Sequence, residues 1–433
     1  MPYIGNQPGT GVRSRFIYTA TASQTTFSGA DDNSKTLKYA DSDYIDVYLN
    51  GVCLVPGTDY TASTKTSVVL TQAASLSDTL EVVAYDIATI SDTVSKADGG
   101  TFEANVTFAD GADILTASKG TDNVRLGENA GAAIASGGNN NVAVGKDALA
   151  SNTTADNSTA VGFEAGTNST GAQNTFFGRQ SGKGVTSGTE SVFVGNGAGR
   201  DGTQTGSYNI GIGSVSLNAL TSGQYNIGIG RDVLASVTSG NDNTAVGYQA
   251  LQANTGNDNT AVGWGALYTN TSAAGNTAVG RKALYSNTTG DQNVAVGYQA
   301  SEENTTGLGN TSIGYQAGQK ITSGNNNTAI GRNALDALTT GGANTAVGRE
   351  ALTKVTTGAQ NTALGLEAGK ELTTGTFNVA VGWSALKLAT SGDHNVAVGS
   401  YSQFNSVGEY NTSLGQETMI SSTSGDYNTA LGY

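Results

Sequence analysis

Residues 243–258 read NTAVGYQALQANTGND, and from Asn259 the chain begins again with NTAVGWGAL. Aligned on the glycine that closes each N-x-A-V-G core, the copies run from Gly127 and Gly145 through Gly247, Gly263 and Gly280 to Gly415 and Gly432. Of the 18 intervals between these glycines 13 are 17 residues long, so the period is under tight physical constraint. The other five are 18 residues (before Gly145 and Gly213) or 16 residues (before Gly178, Gly263 and Gly415). A period of this length is the signature of a stacked-repeat architecture, and it governs the reading of everything else.

Stacking puts equivalent residues one above another, so each alignment column carries its own structural meaning. The residue before the glycine is always large and apolar, as in Val144, Phe177, Ile212, Val262 and Leu431. Three after the glycine a small residue recurs (Ala148, Ser181, Ala250, Ala283), often followed by Leu (Leu251, Leu267, Leu284, Leu335). Seven after it the column switches between Asn (Asn254, Asn270, Asn287, Asn304) and aliphatics (Ile321, Leu338, Val355, Leu372). Two short apolar stretches separated by turn residues predict two brief β-strands per coil and leave no room for a helix. The Asn that opens most copies (Asn141, Asn174, Asn243, Asn276) is expected to form a structural amide ladder.

Seventeen residues enclose too thin a core for one coil to stand alone, so stacking is obligatory. At about 4.8 Å per strand, the repeats make a rod on the order of 86 Å long. The Leu and Asn columns look too apolar to face water, which predicts three chains packed side by side over them. A two-chain or a single-chain solenoid is the alternative. The fold expected is therefore all-β: a small antiparallel domain over residues 1–90, a linker over 91–120, and a parallel β-roll or solenoid of about 19 copies over 121–433, assembled as a homotrimer.

Only 13% of the 433 residues are charged, 61 are glycine, and the net charge is −14. The longest basic run is the pair Arg281 and Lys282, so the attraction that drives binding to a phosphate backbone is missing and no nucleic-acid partner is expected. Nowhere do 18 consecutive apolar residues occur, so no membrane span is expected. The N-terminal MPYIGNQPGTGVRSRF lacks the apolar core of a signal peptide, which implies synthesis in a cytoplasm. Cys53, in the run VCLV, is expected to be a small buried hydrophobe.

Before the repeats, YIDVYLNGVCLVPGTDY alternates apolar residues (Ile45, Val47, Leu49) up to an Asn50-Gly51 hairpin turn and turns again at Pro56-Gly57. With DTLEVVAYD following, it predicts an antiparallel β domain. The N-x-[AG]-[VIL]-G-x-x-A repeat resembles the head repeats of trimeric autotransporter adhesins, which are parallel β-rolls of shorter period. It is more similar to the N-T-A-[VI]-G-Y-x-A-L arrays of bacteriophage tail fibres. The N-terminal FIYTATASQTTFSGADDN, with the hairpin segment, resembles the virion-attachment domains of fibres from short-tailed phages, especially marine ones. GGTFEANVTF, residues 99–108, looks like a fibre-shaft phrase.

That resemblance implies a structural virion protein: a homotrimeric tail fibre held to tail adaptor or nozzle proteins through residues 1–90. A host surface receptor, a polysaccharide, would be met by a distal region that the mid-repeat end at NTALGY leaves to be supplied. A polysaccharide-cleaving tailspike and a trimeric surface adhesin are the alternatives, and an ice-binding solenoid is a third. No catalytic, cofactor or metal residues are assigned, and the chain is not expected to be an enzyme.

Several residues bear on that negative. Glu350 and Glu367 share a column one coil apart, as a retaining glycosidase pair would, although the column also holds Lys282, Gln299 and Asn333 and so reads as a solvated corner. His394, the sole histidine, has no nucleophile constellation around it. Calcium-binding rolls need recurring turn aspartates, and this repeat lacks them. The column after the glycine (Arg231, Tyr248, Trp264, Arg281, Tyr298, Tyr315, Arg332, Arg349, Trp383) reads as a stiffening or seam-forming ladder before it reads as a sugar site. Thr pairs such as Thr288-Thr289 and Thr339-Thr340 form the only candidate ice-binding array.

Overall fold

The computed structural model describes residues 12–86 and 120–433. The chain divides into two compact units, Met1–Asp113 and Ile114–Tyr433. The shaft phrase at 99–108 and most of the expected linker lie outside the described residues.

The described residues of the first unit hold seven strands: β1 Val12–Thr19, β2 Gln24–Ser28, β3 Ile45–Leu49, β4 Val52–Cys53, β5 Tyr60–Thr61, β6 Ser67–Ala74 and β7 Thr79–Asp86. They form two antiparallel sheets, ordered β1-β7-β3-β4 and β2-β6-β5. Asn50 and Gly51 join β3 to β4 with φ of 54° and 81°, both positive as a two-residue hairpin of this hand requires. The turn at Pro56-Gly57 is closed by Gly57 N–H donating to the Tyr60 carbonyl at 2.8 Å. Phe27, Leu37, Val47, Val68, Leu80 and Val82 make a fully buried core. Cys53 corrects an expectation: it is exposed. It sits on the two-residue strand β4 at the sheet's outer edge, where it pairs with Tyr48.

The second unit is a parallel β-solenoid of about eighteen turns. Nineteen three-residue strands, β8 (Val124–Leu126) to β26 (Thr429–Leu431), stack in sequence order, each pairing three residues to three with the next. Each coil holds one strand, and the second apolar stretch is a chain of turns. The physical reason lies in the backbone: two and four after the glycine φ is positive, as at Gln249 (57°) and Leu251 (49°), which no extended strand tolerates. Those turns still stack, because Leu251 N–H donates to the Ala266 carbonyl of the next coil at 3.0 Å.

The closing glycine is required twice over. Gly247 has φ of 132°, and a Cβ there would lie 2.6 Å from the Gly263 carbonyl oxygen.

The structure also corrects where the Leu and Asn columns point. Leu251, Leu267 and Leu284, with Asn254, Asn270 and Asn287, are fully buried inside the single chain. The middle residue of each strand, mostly Ala, faces the same interior. The coil is therefore thin but closed, and these columns need no partner chain to cover them. The opening Asn ladder stands as expected: Asn243 donates its backbone N–H (3.2 Å) and its Nδ2 (3.0 Å) to Asn226 Oδ1, and Nδ2 also reaches the Gly256 carbonyl.

The five irregular intervals leave the strands untouched. Pairing stays three to three across all of them, as from β15 to β16. The residue gained or lost falls in the turn between the position seven after the glycine and the next turn glycine. Thr203, for example, is extra between Gly202, which packs against the equivalent Leu220 carbonyl, and Gln204.

Candidate functional site: the outer surface of the coils

The surface of the solenoid is a set of columns, and each is fixed in place by the coil geometry. The column after the glycine points outward, and its rings and guanidinium groups lie over one another. Arg281 sits 5.0 Å from the Trp264 ring centre and 5.7 Å from that of Tyr298. Tyr298 stacks on Tyr315 at 5.2 Å, and Arg332 lies 5.7 Å from the Tyr315 ring. Sugars dock on ring faces, and here much of each face is taken by the neighbouring coil. The column thus behaves as a stiffening ladder.

A second aromatic column was missed in the sequence. The residue before the opening Asn carries a continuous stack of Phe377, His394, Tyr410 and Tyr427, with ring centres 4.8, 4.6 and 4.9 Å apart. Tyr208 and Tyr225 repeat the pattern at 4.9 Å. The alignment already placed these residues in one column, and the signal was their spacing alone. His394 is accounted for by this stack.

Glu350 and Glu367 do come together, but through a shared cation. Lys370 Nζ lies 2.6 Å from Glu350 and 2.9 Å from Glu367, and Lys387 lies 2.6 Å from Glu367. Hydrogen bonds from Lys387 and Lys370 hold the Glu367 carboxyl down to about 2, and those from Lys370 and Arg349 hold Glu350 below its usual range. A glycosidase general acid needs a raised pKa, so this pair has the wrong electrostatics for that role. Among the described residues no group of three or more His, Cys, Asp or Glu is placed to hold a metal ion, and no helix is long and apolar enough to cross a membrane.

The first Thr of each pair is spent internally: Thr288 Oγ1 donates to the Thr305 carbonyl at 2.9 Å, Thr305 to Thr322, and Thr322 to Thr339. The second (Thr289, Thr306, Thr340) is exposed, and Ser323 interrupts that column.

What remains is the outward face of the strands. Every strand from β9 to β25 buries its middle residue and turns its first and third outward, and in the end strands β8 and β26 the middle residue is half-buried. Third-position residues are substantially exposed, among them Phe177 (57%), Leu364 (49%) and Ile229 (39%). First positions are Thr, Val or Ile throughout, and neither outward column contains a charged residue in any of the nineteen strands. Compared with known proteins, the chain matches no family model, no curated protein and no solved structure.

Proposed function

We propose that this chain is a structural and interaction protein, a homotrimeric phage tail fibre located in the virion. Residues 1–90 dock on the tail, and the solenoid projects toward the host surface for adsorption. One observation carries the reading: some eighteen turns repeat a backbone ladder whose buried amides and stacked rings serve the stack itself. Such a surface suits a spacer of fixed length better than a reaction centre. The neutralised Glu350 and Glu367 pair weighs against the polysaccharide-cleaving alternative. The resemblance of the N-terminal segment to attachment domains favours a fibre over a cell-surface adhesin.

The test is assembly of particles with a fibre lacking residues 1–90. Particles without fibres are expected, and normal fibre occupancy would rule the attachment role out.

A further inference from the structure

The outward strand face has a composition unlike the rest of the solenoid surface. Two residues from each of nineteen strands lie on it: Thr at eleven of the first positions, Val, Ile, Leu or Phe at all the others, and none charged. The ionic side chains, including Arg281, Lys282, Glu302, Glu350, Glu367 and Lys370, sit instead on the turn side of the coil. Proteins seldom leave an apolar patch beyond a few hundred Å² open to water.

We propose that this face is a self-association seam, along which copies of the same chain lie parallel and in register, coil against coil. The proposal deepens the fibre reading and rests on it only for the number of copies.

Three observations select a second copy as the occupant. The first is charge. Residues 120–433 hold 21 Asp and Glu against 14 Lys and Arg, a net charge of −7 that lies outside the outward strand columns, so two copies brought together through their turn sides would repel, whereas the strand face brings no charge to the contact.

The second is area. About 86 Å of stacked strands, each three residues or about 10 Å wide, present roughly 860 Å² in projection. A stable interface needs about 800 Å² per partner.

The third is periodicity. The strand face keeps an unbroken strand-to-strand repeat through every 16- and 18-residue coil, because those irregularities are confined to the turns. Only another ladder of the same pitch can match such a face along its whole length.

Placing the seam here changes what sets the register. Irregular turns do not lie on the strand face, so they cannot key one copy against another there. The uneven sizes along the third-position column can. Phe177 and Leu364 interrupt a run of Val and Ile, and a slip by one coil would set each against a Val of different volume.

The test compares three full-length proteins by sedimentation equilibrium, with circular dichroism as the check on folding. The wild type should be associated at micromolar concentration. A variant with Val262→Lys, Val279→Lys and Val296→Lys on the strand face should become a folded monomer. A variant with Thr289→Lys, Thr306→Lys and Thr340→Lys on the turn side should stay associated.

If the strand-face variant is folded and remains associated, the seam lies elsewhere and the proposal falls while the oligomeric fibre survives. If the wild type is itself a folded monomer, both fall. Should the lysine variant not fold, Thr277→Cys in a Cys53→Ser background decides the matter. Oxidation should give a covalent dimer in high yield for the seam, and an absence of cross-linking would overturn it.

Discussion

Asn304 and Ile321 occupy the same column in successive coils, and at their junction a ladder of buried amides stops. Asn270 donates Nδ2 to Asn254 Oδ1 at 2.6 Å, Asn287 to Asn270 at 2.9 Å, and Asn304 to Asn287 at 2.9 Å. Asn304 Oδ1 is then left buried without a partner, because Ile321 above it has nothing to donate.

The ladder should behave as a unit. Asn287→Leu leaves Asn270 Oδ1 unpaired inside the core, at a cost of about 1–3 kcal/mol. Replacing Asn254, Asn270, Asn287 and Asn304 together by Leu removes every amide-to-amide donor and acceptor of the ladder at once, including the orphan at Asn304, and leaves open backbone partners such as the Gly256 N–H that Asn254 Oδ1 accepts and the carbonyls of Gly256, Ala273, Gly290 and Gly307. The quadruple variant should therefore lose less than twice what the single variant loses, read from denaturant midpoints. A loss near four times the single value would show that the amides act independently.

Core volume is conserved across neighbouring columns. Phe176 takes the middle strand position usually held by Ala, and Gly182 takes the position usually held by Leu. A Cβ on Gly182 would lie 2.0 Å from the Phe176 ring. Gly182→Leu should destabilise by about 1–3 kcal/mol through overpacking, and Phe176→Ala by about 3–5 kcal/mol through a cavity. The double variant should be more stable than the Phe176→Ala single variant. Additive losses in that cycle would contradict the volume exchange.

Acid should loosen the coils around Glu367. Its folded pKa of about 2 lies below the ordinary value of a glutamate, so the charged form stabilises the fold above that ordinary value. This contribution is lost as pH falls from about 4.3 toward 2. Asp336 has the opposite sign: burial raises its pKa, and its Oδ1 has no partner, so its ionisation costs stability as pH rises through the folded value. Thermal unfolding followed against pH should show a shallower acid loss in Glu367→Gln. Asp336→Asn should raise the neutral-pH midpoint. An unchanged acid slope in the first, or a lowered midpoint in the second, would contradict these assignments.

The columns of the solenoid were legible in the sequence, and their directions were not. Stacking, the amide ladder at Asn226 and Asn243, and the need for glycine at Gly247 follow from the 17-residue period and from backbone sterics. Which side of the coil each column faces depends on the strand being only three residues long. In Thr244-Ala245-Val246 the interior has room for Ala245, so the larger Thr244 and Val246 turn out, against what apolarity alone suggests. Leu251 reaches the interior through a left-handed backbone that costs about 1–2 kcal/mol, a cost that its burial offsets. Propensity gives no hint of that conformation. In the first unit, the Asn50-Gly51 turn was readable from its residues, whereas the exposure of Cys53 depended on β4 ending up at a sheet edge.

The central claim is that the solenoid is a rod built to lie against its own copies, and mass in solution tests it most directly. Each chain has a mass of 43.6 kDa. Sedimentation equilibrium of the full chain at micromolar concentration should give a mass near three chains. A folded, soluble species of 43.6 kDa under the same conditions would contradict the account.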